Sequence, residues 1–238
     1  MIRRFKTVIP AVLALGAFAP FAAQATDPLS YSFIEGQYVN SKLKASLGAT
    51  KVDDEFDGYR GAFNVSVYKF IYVTGESDKR RPSTYRFGTQ SIGLGGHTDN
   101  RLMQHLQLFG AATYERTLVN DVTRAPGATD DADEGYGITA GIRIPYDSFE
   151  FDGSYRYMSY GDTNGTKVTG DKFGAGVLVQ LTPFFGLTGG YRRLDFKNLR
   201  GAAGLKDQFD EWTVGFRAYF ATDIDRYRRR GGFFGTGE

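Results

Sequence analysis

The 238-residue chain has no cysteine. That excludes disulfide frameworks, thiolate zinc sites, iron–sulfur clusters and thiol nucleophiles. Only two histidines and one tryptophan are present, so a histidine-rich metal site has too few ligands. Leucine and methionine are sparse, and no run of 18 or more uncharged apolar residues lies in the body of the chain. A helical membrane protein is therefore not expected. Charge of one sign is also lacking: Lys+Arg total 29 against 27 Asp+Glu. What the chain does have is 31 glycines, 15 tyrosines and 20 phenylalanines. Glycine and aromatics in excess of leucine favour strands over helices.

Residues 1–25 read as a secretory signal peptide for export by the Sec pathway. Arg3, Arg4 and Lys6 form a positive start, an apolar stretch follows, and Ala23-Gln24-Ala25 is an A-x-A cleavage site. Cleavage would remove three cations and no acid, leaving 26 basic against 27 acidic groups. A nucleic-acid partner then has no electrostatic support.

Period-2 alternation recurs through the rest of the chain. In Tyr136 to Ile144, Tyr136, Ile138, Ala140, Ile142 and Ile144 share one face, and Gly137, Thr139, Gly141 and Arg143 the other. The stretches Lys172–Leu181 and Glu211–Phe220 alternate in the same way. Ten segments are predicted: 30–43, 59–67, 69–76, 83–96, 104–118, 135–144, 149–160, 171–181, 184–196 and 208–221. In the fourth, the apolar parity switches between Tyr85/Phe87 and Ile92/Leu94, which predicts a bulge near Gly88. Short connections at 67–69, 97–103, 145–148 and 182–183 alternate with long polar ones at 44–58, 77–82, 119–134, 161–170 and 197–207. That asymmetry is the pattern of an outer-membrane barrel, with short periplasmic turns and long outward loops. The expected fold is all-β: an antiparallel up-and-down transmembrane β-barrel of ten strands, with eight as the alternative. It should occupy residues 26–221, followed by a disordered periplasmic tail over 222–238.

Alternation alone does not tell a soluble barrel from a membrane barrel, whose sidedness is inverted. One face here is built from glycine and charge. The residues assigned to the lumen are Glu35, Arg60, Glu115, Arg143, Glu150, Asp152, Arg156, Lys172, Arg192, Glu211 and Arg217, six cations and five anions arranged as though to pair. Aromatics near strand ends are assigned to interfacial girdles: Tyr31, Tyr59, Tyr114, Tyr136, Phe149, Tyr157, Phe185, Trp212 and Phe220.

The opening Tyr31-Ser-Phe-Ile-Glu-Gly-Gln-Tyr38, the stretch Asp57-Gly-Tyr-Arg-Gly-Ala-Phe63 and the terminal strand Trp212 to Phe220 resemble those of small proteobacterial outer-membrane β-barrel proteins, in particular a ten-stranded group. The resemblance implies location in the cell outer membrane and no agreed biochemical activity. It also implies the barrel-assembly machinery as a partner during insertion. This chain departs from the common ending by continuing past Phe220.

Catalytic chemistry finds little to stand on. His97 and His105 fall beside the turn between the fourth and fifth segments and read as solvated turn residues, without an outward Ser or Asp beside them. The acidic stretches Asp53–Asp57 and Asp130–Glu134 do not match a twelve-residue calcium loop, so no metal is assigned. No cofactor is expected either. Lys79, Arg80 and Arg81, on an outward loop, are candidates for contact with lipopolysaccharide phosphates. The sequence thus points to a monomeric, non-enzymatic outer-membrane barrel. Its partners would be outer-membrane lipid and lipopolysaccharide, its lumen plugged by charge and its role structural or one of surface contact. A narrow, porin-like solute channel and an outer-membrane hydrolase are the alternatives.

Overall fold

The computed structural model describes residues 32–68, 70–81, 85–98, 106–121, 131–146, 148–163, 166–182, 184–199 and 203–220. The proposed signal peptide, the tail over 222–238, Tyr31, His105 and Asn164 lie outside the described residues.

Ten strands are present: β1 (Phe33–Leu47), β2 (Thr50–Tyr68), β3 (Ile71–Arg80), β4 (Tyr85–His97), β5 (Gln107–Asp121), β6 (Asp131–Tyr146), β7 (Phe149–Thr163), β8 (Thr166–Thr182), β9 (Phe185–Lys197) and β10 (Lys206–Tyr219). Each pairs antiparallel with its chain neighbours, and β1 pairs with β10 from Phe33↔Tyr219 to Ser46↔Lys206. The barrel is closed, so no strand edge is left to face hydrocarbon. The eight-stranded alternative is excluded.

Side chains are sorted inside-out through the middle of the barrel. Arg143, Glu150 and Arg217 are 6%, 2% and 7% exposed, whereas Ile142, Phe151 and Val214, on the opposite faces of the same strands, are 41%, 46% and 40% exposed. Ionised groups fill the interior and apolar ones form the outer belt, as in a barrel whose solvent is lipid. Aromatic residues bound that belt. Tyr38, Tyr59, Tyr114, Tyr136, Tyr191 and Trp212 ring it near one end, and Tyr68, Phe70, Tyr146, Phe149, Phe184 and Phe185 near the other.

Several expected loops are strand. The stretch 44–58 is a long hairpin turning only at Gly48-Ala49, and 161–170 belongs mostly to β7 and β8. At Gly48 the backbone adopts φ +58, a conformation open to glycine at little steric cost. The connections at the two ends are therefore less unequal in length than the sequence suggested. The asymmetry lies in strands that run far beyond one aromatic ring.

In those extensions the sorting reverses. Leu43, Phe56, Phe87, Met158, Val168, Leu194, Phe196 and Phe209 point inward and pack with Tyr160 and Leu199 into an apolar core. Phe87 stacks on Phe209 at 4.9 Å and meets Phe196 edge-on at 5.5 Å. Lys42, Lys44, Glu55, Asp57, Arg193 and Lys197 stand on the outside. This protruding tier is built like a soluble barrel on top of a membrane barrel. The reversal also corrects the expected bulge near Gly88. Pairing runs without a register shift from Phe87 to Gly96 on the β3 side of β4 and from Tyr85 to His97 on its β5 side. Phe87 faces the apolar core of the protruding tier and Ile92 and Leu94 face lipid, so the parity switch marks the change of tier. Register shifts occur instead at Ser66/Tyr68, Ser159/Asp162 and Gln180/Thr182.

Candidate functional site: an ion-paired lumen

All eleven lumen charges assigned from the sequence lie on inward positions of their strands. The structure adds three. Glu76, Asp78 and Arg80 continue the inward parity of Tyr72 and Thr74 along β3. That corrects the assignment of 77–82 to an outward loop. Arg80, expected to reach lipopolysaccharide, is 1% exposed and lies inside the barrel. Lys79 and Arg81 are exposed. The missed signal was Glu76-x-Asp78-x-Arg80 itself, a period-2 run of charge that reads as polar loop unless its parity is compared with the strand before it.

With these three included, seven cations face seven anions in the charged lumen. Charge neutrality matters here, because each ion loses hydration that only a partner replaces. The pairs form a continuous chain. Arg217 donates to Glu35 at 2.8 Å and to Glu150 at 3.1 Å. Arg60 bridges Glu35 at 2.6 Å and Glu76 at 3.1 Å. Glu76 also receives Lys172 and, at 3.4 Å, Arg192. Arg192 continues to Glu211 at 2.8 Å, and Glu211 is gripped by Arg80. Arg156 pairs with Glu115 at 3.2 Å, and Arg143 lies 3.6 Å from Glu150. Strand β4 joins through its hydroxyls: Thr89 donates to Asp78 at 3.1 Å, and Ser91 accepts from Arg156 at 3.2 Å. The network therefore touches every strand. Lys172 on β8 and Glu76 on β3 meet from opposite walls, which braces the cylinder across its width.

Glycine makes room where two large groups meet. A Cβ on Gly137 would lie 2.4 Å from a Glu115 carboxylate oxygen, and one on Gly176 would lie 2.7 Å from Asp152. Asp152 borders an internal space of about 170 Å³ lined also by Glu35, Arg60, Arg156 and Arg217.

Apolar groups border the charged section at both ends. Below, Phe33, Leu178 and Tyr219 cluster, and Arg217 lies 4.3 Å from the Phe33 ring centre. Above, Arg80 lies under Phe87 and Phe209, 5.3 and 5.7 Å from their ring centres, at the floor of the upper core. Leu199, in the connection between β9 and β10, is fully buried in that core and caps it.

The other expected sites resolve as follows. Of the girdle residues, Tyr59, Tyr114, Tyr136, Phe149, Phe185 and Trp212 are exposed on the outer face. Tyr157 and Phe220 are half-buried. His97 is not a solvated turn residue. It faces inward at the lower end, 3.1 Å from the Gln107 amide and stacked against Tyr72 at 6.3 Å. Asp53–Asp57 is part of β2, with Glu55 paired to Lys42 at 3.3 Å. Glu134 lies 3.7 Å from Arg116, and Asp133 is buried. Among the described residues no cluster of three or more His, Asp or Glu is placed to hold a metal ion.

Outside the membrane section, Asp210 shows how the outer face is neutralised. Partial burial pushes its carboxyl up. Hydrogen bonds from Lys44 at 2.9 Å, Tyr191 at 2.8 Å and Gln208 at 2.8 Å outweigh that and hold it below the usual range.

No family model matches the chain, and no curated protein is similar to it in sequence. Solved structures of outer-membrane barrels are similar. The outer membrane protease OmpT from Escherichia coli is 13% identical, with a TM-score of 0.44, over 82% of this chain and 100% of that one. Neisserial surface protein A is 14% identical, with a TM-score of 0.38, over 79% of this chain and 97% of that one. Ail, the attachment invasion locus protein of Yersinia pestis, is 12% identical, with a TM-score of 0.37, over 79% and 99%.

Proposed function

We propose that this protein is a non-conducting, non-enzymatic outer-membrane barrel that works through the outside of its protruding tier. The single observation that supports this reading is the packing of the interior. A chain of ion pairs runs through the membrane section, and a cluster of buried apolar side chains lies on each side of it. A solute crossing the barrel would have to displace both plugs and break buried ion pairs, each worth about 3–5 kcal/mol when one partner is left alone. The protruding tier, by contrast, offers a rigid charged surface held by its own core. A channel would need continuous water along the lumen. A hydrolase would need a nucleophile–base pair open to solvent, and the described histidine, His97, is held by Gln107 and aromatic rings at the lower end.

Planar-bilayer recording of the refolded protein tests the proposal. The expected trace is flat under applied voltage. Steady single-channel steps would refute it and favour the channel reading.

A further inference from the structure

The outer face of the protruding tier carries a pattern that the lumen does not explain. Tyr38, Trp212, Tyr191 and Phe173 mark the aromatic ring on four adjacent strands, β1, β10, β9 and β8. Six positions beyond each of them, toward the outside, stands a lysine: Lys44, Lys206, Lys197 and Lys167. All four are exposed and point outward. In tilted strands, six residues rise about 15 Å above the ring. The lysines therefore form a row at one height, along one side of the barrel.

This row is unlike the rungs beneath it, where signs alternate and carboxylates are engaged. Asp210 takes Lys44, Asp195 takes Arg193 at 2.9 Å, and Asp171 takes the Tyr155 hydroxyl. Lys206 and Lys197 are direct cross-strand partners. Like charges directly opposite one another destabilise a sheet. Lys167, Lys197 and Lys206 make no ion pair among the described residues. A groove of about 530 Å³ opens beside Lys44, Lys197 and Lys206, bordered also by Lys51 and Arg193 and by the carboxylates of Asp53, Asp171, Asp195 and Asp207.

We infer that the row Lys44–Lys206–Lys197–Lys167 is a docking site for the phosphorylated sugars of the surrounding glycolipid leaflet. A repelling lysine pair held on a rigid sheet is relieved by an anion placed between its members. The height fits phosphates on sugars that project beyond the acyl boundary, not the bilayer surface itself. Three unpaired cations spaced along neighbouring strands, with Lys44 beside them, suit a multiply phosphorylated saccharide better than a single phosphate. The site rests on the role proposed above for the protruding tier, with its strand ends facing out of the cell as the sequence pattern predicts.

The test uses the full-length protein refolded in detergent, with affinity read by calorimetry. Three ligands are compared: lipopolysaccharide with phosphorylated core sugars, the same material after removal of the core phosphates, and inositol hexakisphosphate. The wild-type protein should prefer the phosphorylated form by about tenfold, and the preference should shrink severalfold between about 0.05 and about 0.5 M salt. A variant carrying Lys44→Gln, Lys167→Gln, Lys197→Gln and Lys206→Gln should lose the preference. It should still bind the dephosphorylated form and still show the heat-modifiable gel migration of a folded barrel. The double variant Lys197→Gln/Lys206→Gln, which removes the repelling pair, should weaken the preference without loss of stability to urea. Equal wild-type affinity for the two lipopolysaccharides, or an undiminished preference in the quadruple variant, overturns the inference. Inositol hexakisphosphate binding as tightly as the phosphorylated lipid would overturn the leaflet assignment in favour of a free polyphosphate. Conductance is a separate readout: a pore would refute the sealed lumen and leave the lysine result standing.

Discussion

At the scale of single residues, the lumen is governed by the cost of leaving an ion alone. Glu211 accepts from Arg80, from Arg192 at 2.8 Å and from Ser41 at 3.2 Å. Glu211→Ala strands two guanidinium groups, and should cost about 3–5 kcal/mol in urea unfolding measured in lipid vesicles. Unchanged stability would mean that the chain of pairs is not what holds the lumen. The glycines give a sharper contrast. A Cβ on Gly215 would fall 2.1 Å from the Gly36 carbonyl oxygen, while one on Gly36 meets nothing within 4 Å. Gly215→Ala should therefore destabilise the barrel by about 1–3 kcal/mol, and Gly36→Ala by far less, in the same unfolding assay. These two positions look alike in the sequence, because both are glycines in alternating strands. Only the packing of β1 against β10 separates them.

At the scale of elements, β1, β9 and β10 each carry two opposite alternations joined at the aromatic ring. Along β10, Trp212, Val214 and Phe216 face lipid while Glu211 and Arg217 face the lumen. Two residues beyond Glu211, Phe209 takes the inward place and Asp210 the outward one. The period is unbroken, but the chemistry attached to each parity is exchanged. This exchange explains why the membrane portions were legible and the extensions were read as loops. In Lys42-Leu43-Lys44-Ala45 the apolar residues are inward, the sense of a soluble strand, and a search tuned to lipid-facing apolar residues passes over them. Such extensions should behave as a soluble sheet does. Phe209→Ala removes a buried ring from the upper core and should cost about 3–5 kcal/mol of stability, with the bilayer conductance still flat because the ion-pair section below remains. Steps in that recording would show that the upper plug alone closes the barrel.

At the scale of the whole molecule, the barrel has two solvents. Its middle is dissolved in lipid and its upper tier stands in water. The same substitution should therefore carry different costs at different heights. Ile142→Arg, on the outer belt, should cost about 2–4 kcal/mol, whereas Gln208→Arg, outward in the protruding tier, should be nearly neutral in the same vesicle assay. Equal effects would place the membrane at the wrong level. The strand count, the inside-out sorting and the eleven inward charges were legible in the sequence, because the period of a strand is local and lipid demands apolar side chains at alternate positions. The three further lumen charges on β3, the exchange of sense above the ring and the two plugs were not. They depend on how far each strand continues and on which side chains arrive at one height from strands remote in sequence. Lys197 and Lys206 are separated by a short connection, and Lys44 and Lys167 by about half of the chain. Only closure of the barrel, with its particular register, brings these four to one row, because the energy of a charge is decided by its neighbours in space.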